Sequence, residues 1–142
     1  MKELTGFDLG YIAALFEMHG GLCLEKTLRR GNQPCFRLRI QVTSPNVEAL
    51  RRARNICGCG HIWTRARCTA AGQPFYIFCI YRQKDMLAFL RLMIPHLSRM
   101  KHIIPIGIEY LKSRVCRPRP NAPYTDHEIA LVRLLQEKCN AA

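Results

Sequence analysis

The chain has 142 residues, enough for one good hydrophobic core and too few for two. Hydrophobic residues make up 49%, which excludes a disordered chain, and no apolar run approaches the length of a bilayer-spanning helix. Lys and Arg number 22 against 10 Asp and Glu, a formal net charge of +12 that points first to nucleic acid as a partner.

The N-terminal "MKELTGFDLG" lacks the basic-then-apolar order of a secretory signal. The expected location is therefore intracellular, in the cytoplasm or nucleoid or in an organelle, with no membrane partner. The eight cysteines are then expected to be reduced thiols, most of them packed as small apolar side chains.

Asp8 is expected to cap a helix that runs to about Met18, with Leu9, Ile12, Ala13, Leu15 and Phe16 as its apolar positions. Ala13 and Ala14 are small and allow a second helix to approach closely. Gly20 and Gly21 end the helix. "LCLEKTLRR" then alternates, setting Leu22, Leu24 and Leu28 against Cys23, Glu25, Thr27 and Arg29. "GNQP" reads as a turn. "CFRLRIQVT" reads as a strand with Phe36, Leu38, Ile40 and Val42 on one face and Arg37, Arg39 and Gln41 on the other.

Ser44 as N-cap and Pro45 at the first helical position predict a second helix, which "GCG" breaks. "HIWTRARC" is a third strand with His61, Trp63, Arg65 and Arg67 on one face. After the turn "TAAGQP", "FYIFCIY" is a fourth strand, apolar on both faces. "RQKDMLAFLRLMIPHL" is an amphipathic helix that Pro95 ends. "SRMKHIIPIGIEYLKSR" is largely helical, with Pro105 an irregularity. Residues 115–124 form a loop. A last helix follows, with Thr125 as N-cap and Glu128 as its capping-box partner.

This order predicts one α+β domain over residues 1–142, in which two hairpins join into a four-stranded antiparallel sheet with helices on its apolar face. The other face would carry Arg29, Arg37, Arg39, Gln41, His61, Trp63, Arg65 and Arg67. Such a sheet suits a DNA major groove, where Arg reads guanine and Gln reads adenine. Lys84, Arg91, Arg99, Lys101 and Lys112 would contact phosphates. The plain alternative is a solvated basic surface. Cys57, Cys59, His61 and Cys68 are possible zinc ligands, but their spacing matches no standard paired-knuckle pattern, and ordinary turn and core thiols are the simpler reading.

"IAALFEMHG", Ile12 to Gly20, resembles the LAGLIDADG motif of homing endonucleases. "QVTSPNVEALRRARNICGCGHI" resembles the second strand, second helix and Gly-turn of that fold. "FYIFCIYRQKDMLAFLRLMIPHLSRMK" resembles its fourth strand, third helix and following proline-and-lysine segment, and "PYTDHEIALVRLLQEKCN" its closing helix. The resemblance spans nearly the whole chain and implies a LAGLIDADG homing-endonuclease-like fold with a curved sheet. A single motif implies a homodimer whose motif helices pack side by side, with Ile12, Ala13 and Phe16 expected at the interface. It also implies cleavage of double-stranded DNA with Mg²⁺, held at the end of the motif helix, where His19 and the backbone of Gly20 stand.

The chain departs from the family pattern at that centre. The family's metal-binding acid is replaced by His19, and a neutral imidazole is a poor ligand for a hard, oxygen-seeking ion. Ser44 stands where the family often places a Gln, and Met100 stands where it commonly has a lysine, with Arg99 and Lys101 on either side. His19, Glu17, Lys101 and Ser44 are the candidate catalytic residues. For His19 the competing reading is a polar residue at a helix C-terminus, where partial positive charge is favourable. The expectation is a site-specific double-stranded DNA-binding protein with weak or lost endonuclease activity. The alternatives are an RNA-binding intron maturase or ribonucleoprotein component of the same fold, and an active metal-dependent endonuclease with an unusual centre.

Overall fold

The computed structural model describes residues 3–29, 31–68, 72, 74–117 and 122–140, with main chain only at 66–68 and 140. The elements follow in the order α1 (Gly6–His19), β1 (Gly20–Arg29), β2 (Gln33–Ser44), α2 (Val47–Cys57), β3 (His61–Cys68), β4 (Pro74–Ile80), α3 (Gln83–Met93), α4 (Ile104–Val115) and α5 (Asp126–Asn140), with a 3-10 turn at Ile94–His96. The strands form one antiparallel sheet in the order β1-β2-β4-β3. The α+β reading and the two hairpins hold.

Several local expectations shift by a few residues. Thr5, rather than Asp8, caps α1: its hydroxyl accepts from the Asp8 amide, and the Asp8 carboxylate accepts from the Thr5 amide. Asn46, rather than Ser44, caps α2, accepting from the amides of Glu48 and Ala49. Ser44 ends β2, and its Oγ accepts from the Asn46 amide. Pro105 sits in the first turn of α4, where a missing N–H costs nothing, so it starts a helix rather than disturbing one. Gln33 already pairs with Arg29, so the first turn is tighter than "GNQP"; Gly31, at φ 83°, and Asn32, at φ 59°, take its two left-handed positions. The box of Thr125 and Glu128 forms as expected.

The core lies between the sheet and the helices. Leu38, Ile40 and Val42 of β2 and Phe78 and Ile80 of β4 meet Phe16 of α1, Leu50 of α2, Leu90 of α3, and Ile104, Tyr110 and Leu111 of α4. Gly20 joins α1 to β1 in extended backbone. A Cβ there would come within 2.7 Å of the Phe16 ring and 2.9 Å of both the Phe16 carbonyl oxygen and the Val42 side chain. The glycine is therefore required by crowding, and the helix end is pressed directly onto β2.

The C-terminal helix is clasped to this core by a buried ion pair. Arg114 Nη1 lies 3.1 Å from Glu128 Oε2, both side chains are 2% exposed, and the guanidinium sits 4.0 Å from the centre of the Tyr124 ring. The Tyr124 hydroxyl reaches β2, accepting from the Phe36 amide at 2.9 Å. The Tyr110 hydroxyl donates to the Phe36 carbonyl at 2.8 Å. Burial and the neighbouring Tyr124 push the Tyr110 hydroxyl far above the ordinary phenol value, so it stays a donor.

Candidate functional site

The strand registers decide which residues share a face. Cys23 pairs with Arg39 and Glu25 with Arg37; Gln41 pairs with Cys79 of β4, which pairs with His61 of β3; Trp63 pairs with Ile77. Directly opposed residues point to the same side of a sheet. Arg29, Arg37, Arg39, Gln41, His61, Trp63 and Arg65 therefore lie on one face, opposite the helices. Arg67 follows an irregularity between Arg65 and Cys68, and its side chain lies outside the described residues.

The middle of this face is not polar at its base. Ile77 and Cys79 of β4 are 6% and 2% exposed. Burial raises the Cys79 thiol, while the charges of Arg39 and Arg65 oppose that rise, so both guanidinium groups lie near it. Long arginine stems cover apolar surface while keeping their heads in water. Trp63 is 50% exposed. The His61 ring stacks on Tyr81, 5.2 Å between centres and 13° from parallel. Glu25 is the one acid facing this array among the described residues, 3.6 Å from Arg39.

The second cluster lies at the end of α1. Glu17 is fully engaged as an acceptor. Its Oε1 takes the amides of Ser98 at 2.9 Å and Arg99 at 3.1 Å, and its Oε2 takes the Ser98 hydroxyl at 3.1 Å. Arg99 Nη2 returns a bond to the Glu17 carbonyl at 2.8 Å. Partial burial alone would raise the Glu17 carboxyl, but the amides of Arg99, Met100 and Ser98 outweigh it and hold the group below the usual carboxylate range. This carboxylate pins the 98–100 segment to the motif helix. His19, two residues beyond Glu17, and Lys101, one residue beyond this segment, are both exposed. The Lys101 segment is a turn, not the helix expected there. Met100 is buried, and Ser44, 7% exposed, spends its hydroxyl on the Asn46 amide.

These residues do not fit a hard divalent ion within one chain. Among the described residues no three His, Cys, Asp or Glu side chains come together. The carboxylate nearest the helix end is occupied by N–H and O–H donors, which leaves His19 and backbone carbonyls such as that of Gly20. Zinc gains no support either. Burial, with Cys59 beside it, pushes the Cys57 thiol up to about 12, against the thiolate that zinc requires. Cys59 is raised by burial and by the charge of Asp85. The Cys68 side chain lies outside the described residues.

The motif helix has two apolar faces. Ile12, Ala13 and Phe16, expected at a helix–helix interface, are 4%, 5% and 0% exposed and pack into the chain's own core, so a partner cannot reach them. The opposite stripe is open. Phe7 and Met18 are 71% and 74% exposed, with exposed Gly10 and Ala14 between them. These positions recur at three- and four-residue steps, one side of a helix. No Cβ placed on Gly10 would meet anything within 4 Å.

No family model and no curated protein matches the chain. Solved structures do. The archaeal intron-encoded homing endonuclease I-Vdi141I, complexed with DNA, is 18% identical, with 96% of this chain and 84% of that one covered at a TM-score of 0.77. The homing endonuclease I-CvuI, in complex with its target in the presence of calcium, is 16% identical over 95% of this chain and 81% of that one, at 0.69. The meganuclease I-SmaMI, bound to uncleavable DNA, is 12% identical over 100% of this chain and 48% of that one, at 0.75. The fold is that of the homing endonucleases. No helix among the described residues is long and apolar enough to cross a membrane.

Proposed function

We propose that this chain is a site-specific double-stranded DNA-binding protein that works as a homodimer and has weak or no endonuclease activity. One observation carries the reading. The sheet registers gather Arg29, Arg37, Arg39, Gln41, His61, Trp63 and Arg65 on the face away from the helices, over a dry floor. Guanidinium forks and an amide on a strand face are the groups that read base edges in a major groove. Exposed Lys84, Arg91, Lys101 and Lys112 would hold phosphates around it. The likeness to DNA-bound homing endonucleases favours duplex DNA over RNA.

The dimer is inferred from the open stripe on α1. An apolar helix face with small residues at its middle is satisfied by an equal helix crossing close by. Two motif helices joined this way would bring both copies of His19 to one place.

Weak or absent cleavage follows from the donor set. Two imidazoles supply nitrogen without charge, and Glu17 is spent on the backbone. The test is incubation of the purified protein with a target-site library plus Mg²⁺ or Mn²⁺. Binding without cuts is expected, with cutting gained in His19→Asp if the rest of the centre is intact. Clean double-strand cuts that vanish in His19→Ala would overturn the inactive reading. Binding measured on duplex DNA and on structured RNA at matched salt separates the partners. A steep loss of affinity with salt on DNA is expected, and tighter binding to RNA would overturn the DNA assignment.

A further inference from the structure

Strand β2 outruns its neighbour. It pairs with β4 only from Ile40 to Ser44, so its stretch around Arg37 to Arg39 has an open side. There a cavity of about 470 Å³ opens between β2 and the start of α3. Its floor is apolar and aromatic: Leu38, Met86, Leu111 and the Tyr110 ring. Its mouth carries Arg37, Arg39, Glu25 and Gln83, and Trp63 and Tyr81 add aromatic walls. Arg39 is the partly exposed guanidinium of this mouth, its Nη2 3.6 Å from Glu25 Oε2.

The volume falls within the range of about 300–1,000 Å³ typical of small-ligand sites. Its chemistry is selective. A flat ring is favoured by the aromatic walls, a phosphate by Arg37 and by Arg39, which now holds Glu25, and a base edge with mixed donors and acceptors by Gln83 and the Glu25 that a phosphate would release. We propose that this cavity receives a single unstacked nucleotide. It would do so at the rim of the basic strand face, its base between the aromatic walls and its phosphate on Arg37 and Arg39.

The proposal rests on the duplex-binding reading for its location, but not for its chemistry. A base leaves a paired stack only at a cost of a few kcal/mol, least where it is already unpaired. The pocket therefore favours duplexes that carry a bulged or mismatched base at one position relative to the bound site.

The experiment has two arms. In the first, fluorescence anisotropy measures binding to a matched duplex and to the same duplex with one unpaired adenine moved stepwise along it. At one position the bulged duplex should bind tighter by about 5- to 100-fold, the range expected for one base stacked on aromatic side chains. Gln83→Phe, which plugs the mouth and lies off the strand face, should erase that gain and leave matched-duplex affinity in place. In the second arm, adenosine monophosphate is titrated while the emission of Trp63, the single tryptophan, is followed. Quenching that Gln83→Phe abolishes shows the pocket accepting a free nucleotide.

Bulge preference without response to the free nucleotide makes the extruded base the occupant. Response to the free nucleotide without any duplex binding keeps the pocket and removes the DNA reading. No gain at any bulge position together with no quenching overturns the pocket while leaving the DNA reading untouched. A gain that survives Gln83→Phe overturns it too.

Discussion

Glu17 does structural work at the point where chemistry was expected. Its carboxylate accepts from the Ser98, Arg99 and Met100 amides, so Glu17→Ala should cost about 1 kcal/mol, as loss of a side-chain acceptor for exposed backbone N–H groups does elsewhere. Chemical denaturation measures this. The sign of the pH dependence follows from the lowered Glu17 value. A depressed carboxyl contributes stability that is present above the ordinary carboxylate value and is lost as pH falls through the lowered one. The wild-type protein should lose this contribution in that acid window, and Glu17→Ala should not. Stability profiles that stay parallel through the window would contradict this role of Glu17.

His19 and Glu17 also show what the sequence allowed at this scale. Both positions were identifiable from the motif "IAALFEMHG". The partners of Glu17 were not, because they lie 81 to 83 residues on, in a turn after a 3-10 helix that no local pattern announces.

Among the elements, alternation was the legible signal. Leu38, Ile40 and Val42 face the core and Arg37, Arg39 and Gln41 face away, as their spacing required, and register then extended the same division to β3. Helix starts were harder. Thr5 and Asn46 cap where Asp8 and Ser44 were expected, since several adjacent residues offer equivalent oxygens and backbone direction picks one. The last helix was placed correctly by Thr125 and Glu128, yet nothing local revealed that Glu128 also neutralises Arg114. That second duty dominates its energetics. Glu128→Gln leaves a buried guanidinium without its counter-charge and should cost about 3–5 kcal/mol, read from denaturant midpoints. Substituting Arg114→Met together with Glu128→Leu should recover much of that loss.

For the whole molecule, the proposed dimer would have its seam on the open stripe of α1. Light scattering should find a dimer for the wild type and a folded monomer for Ala14→Glu, because that side chain lies on the exposed face. Ile12→Glu should instead unfold the chain, since Ile12 is 4% exposed in the core. A dimer that persists in Ala14→Glu would move the interface elsewhere. Sequence periodicity alone could not separate the two stripes, because the helix is apolar on both sides and only the fold says which one is used internally.

The two tyrosines that dock on β2, Tyr110 and Tyr124, carry a consequence beyond positioning. A strand with a bare row of amides and carbonyls is a template on which other chains add. Tyr110 and Tyr124 occupy that row at Phe36, one hydroxyl donating to the carbonyl and the other accepting from the amide. A chain shortened before Tyr124 would uncover the amide and remove the helix behind it. Such a product should assemble into β-rich aggregates that bind amyloid dyes, whereas the full chain should remain dispersed. Dispersed behaviour of the shortened chain would show that this stretch of β2 needs no cover.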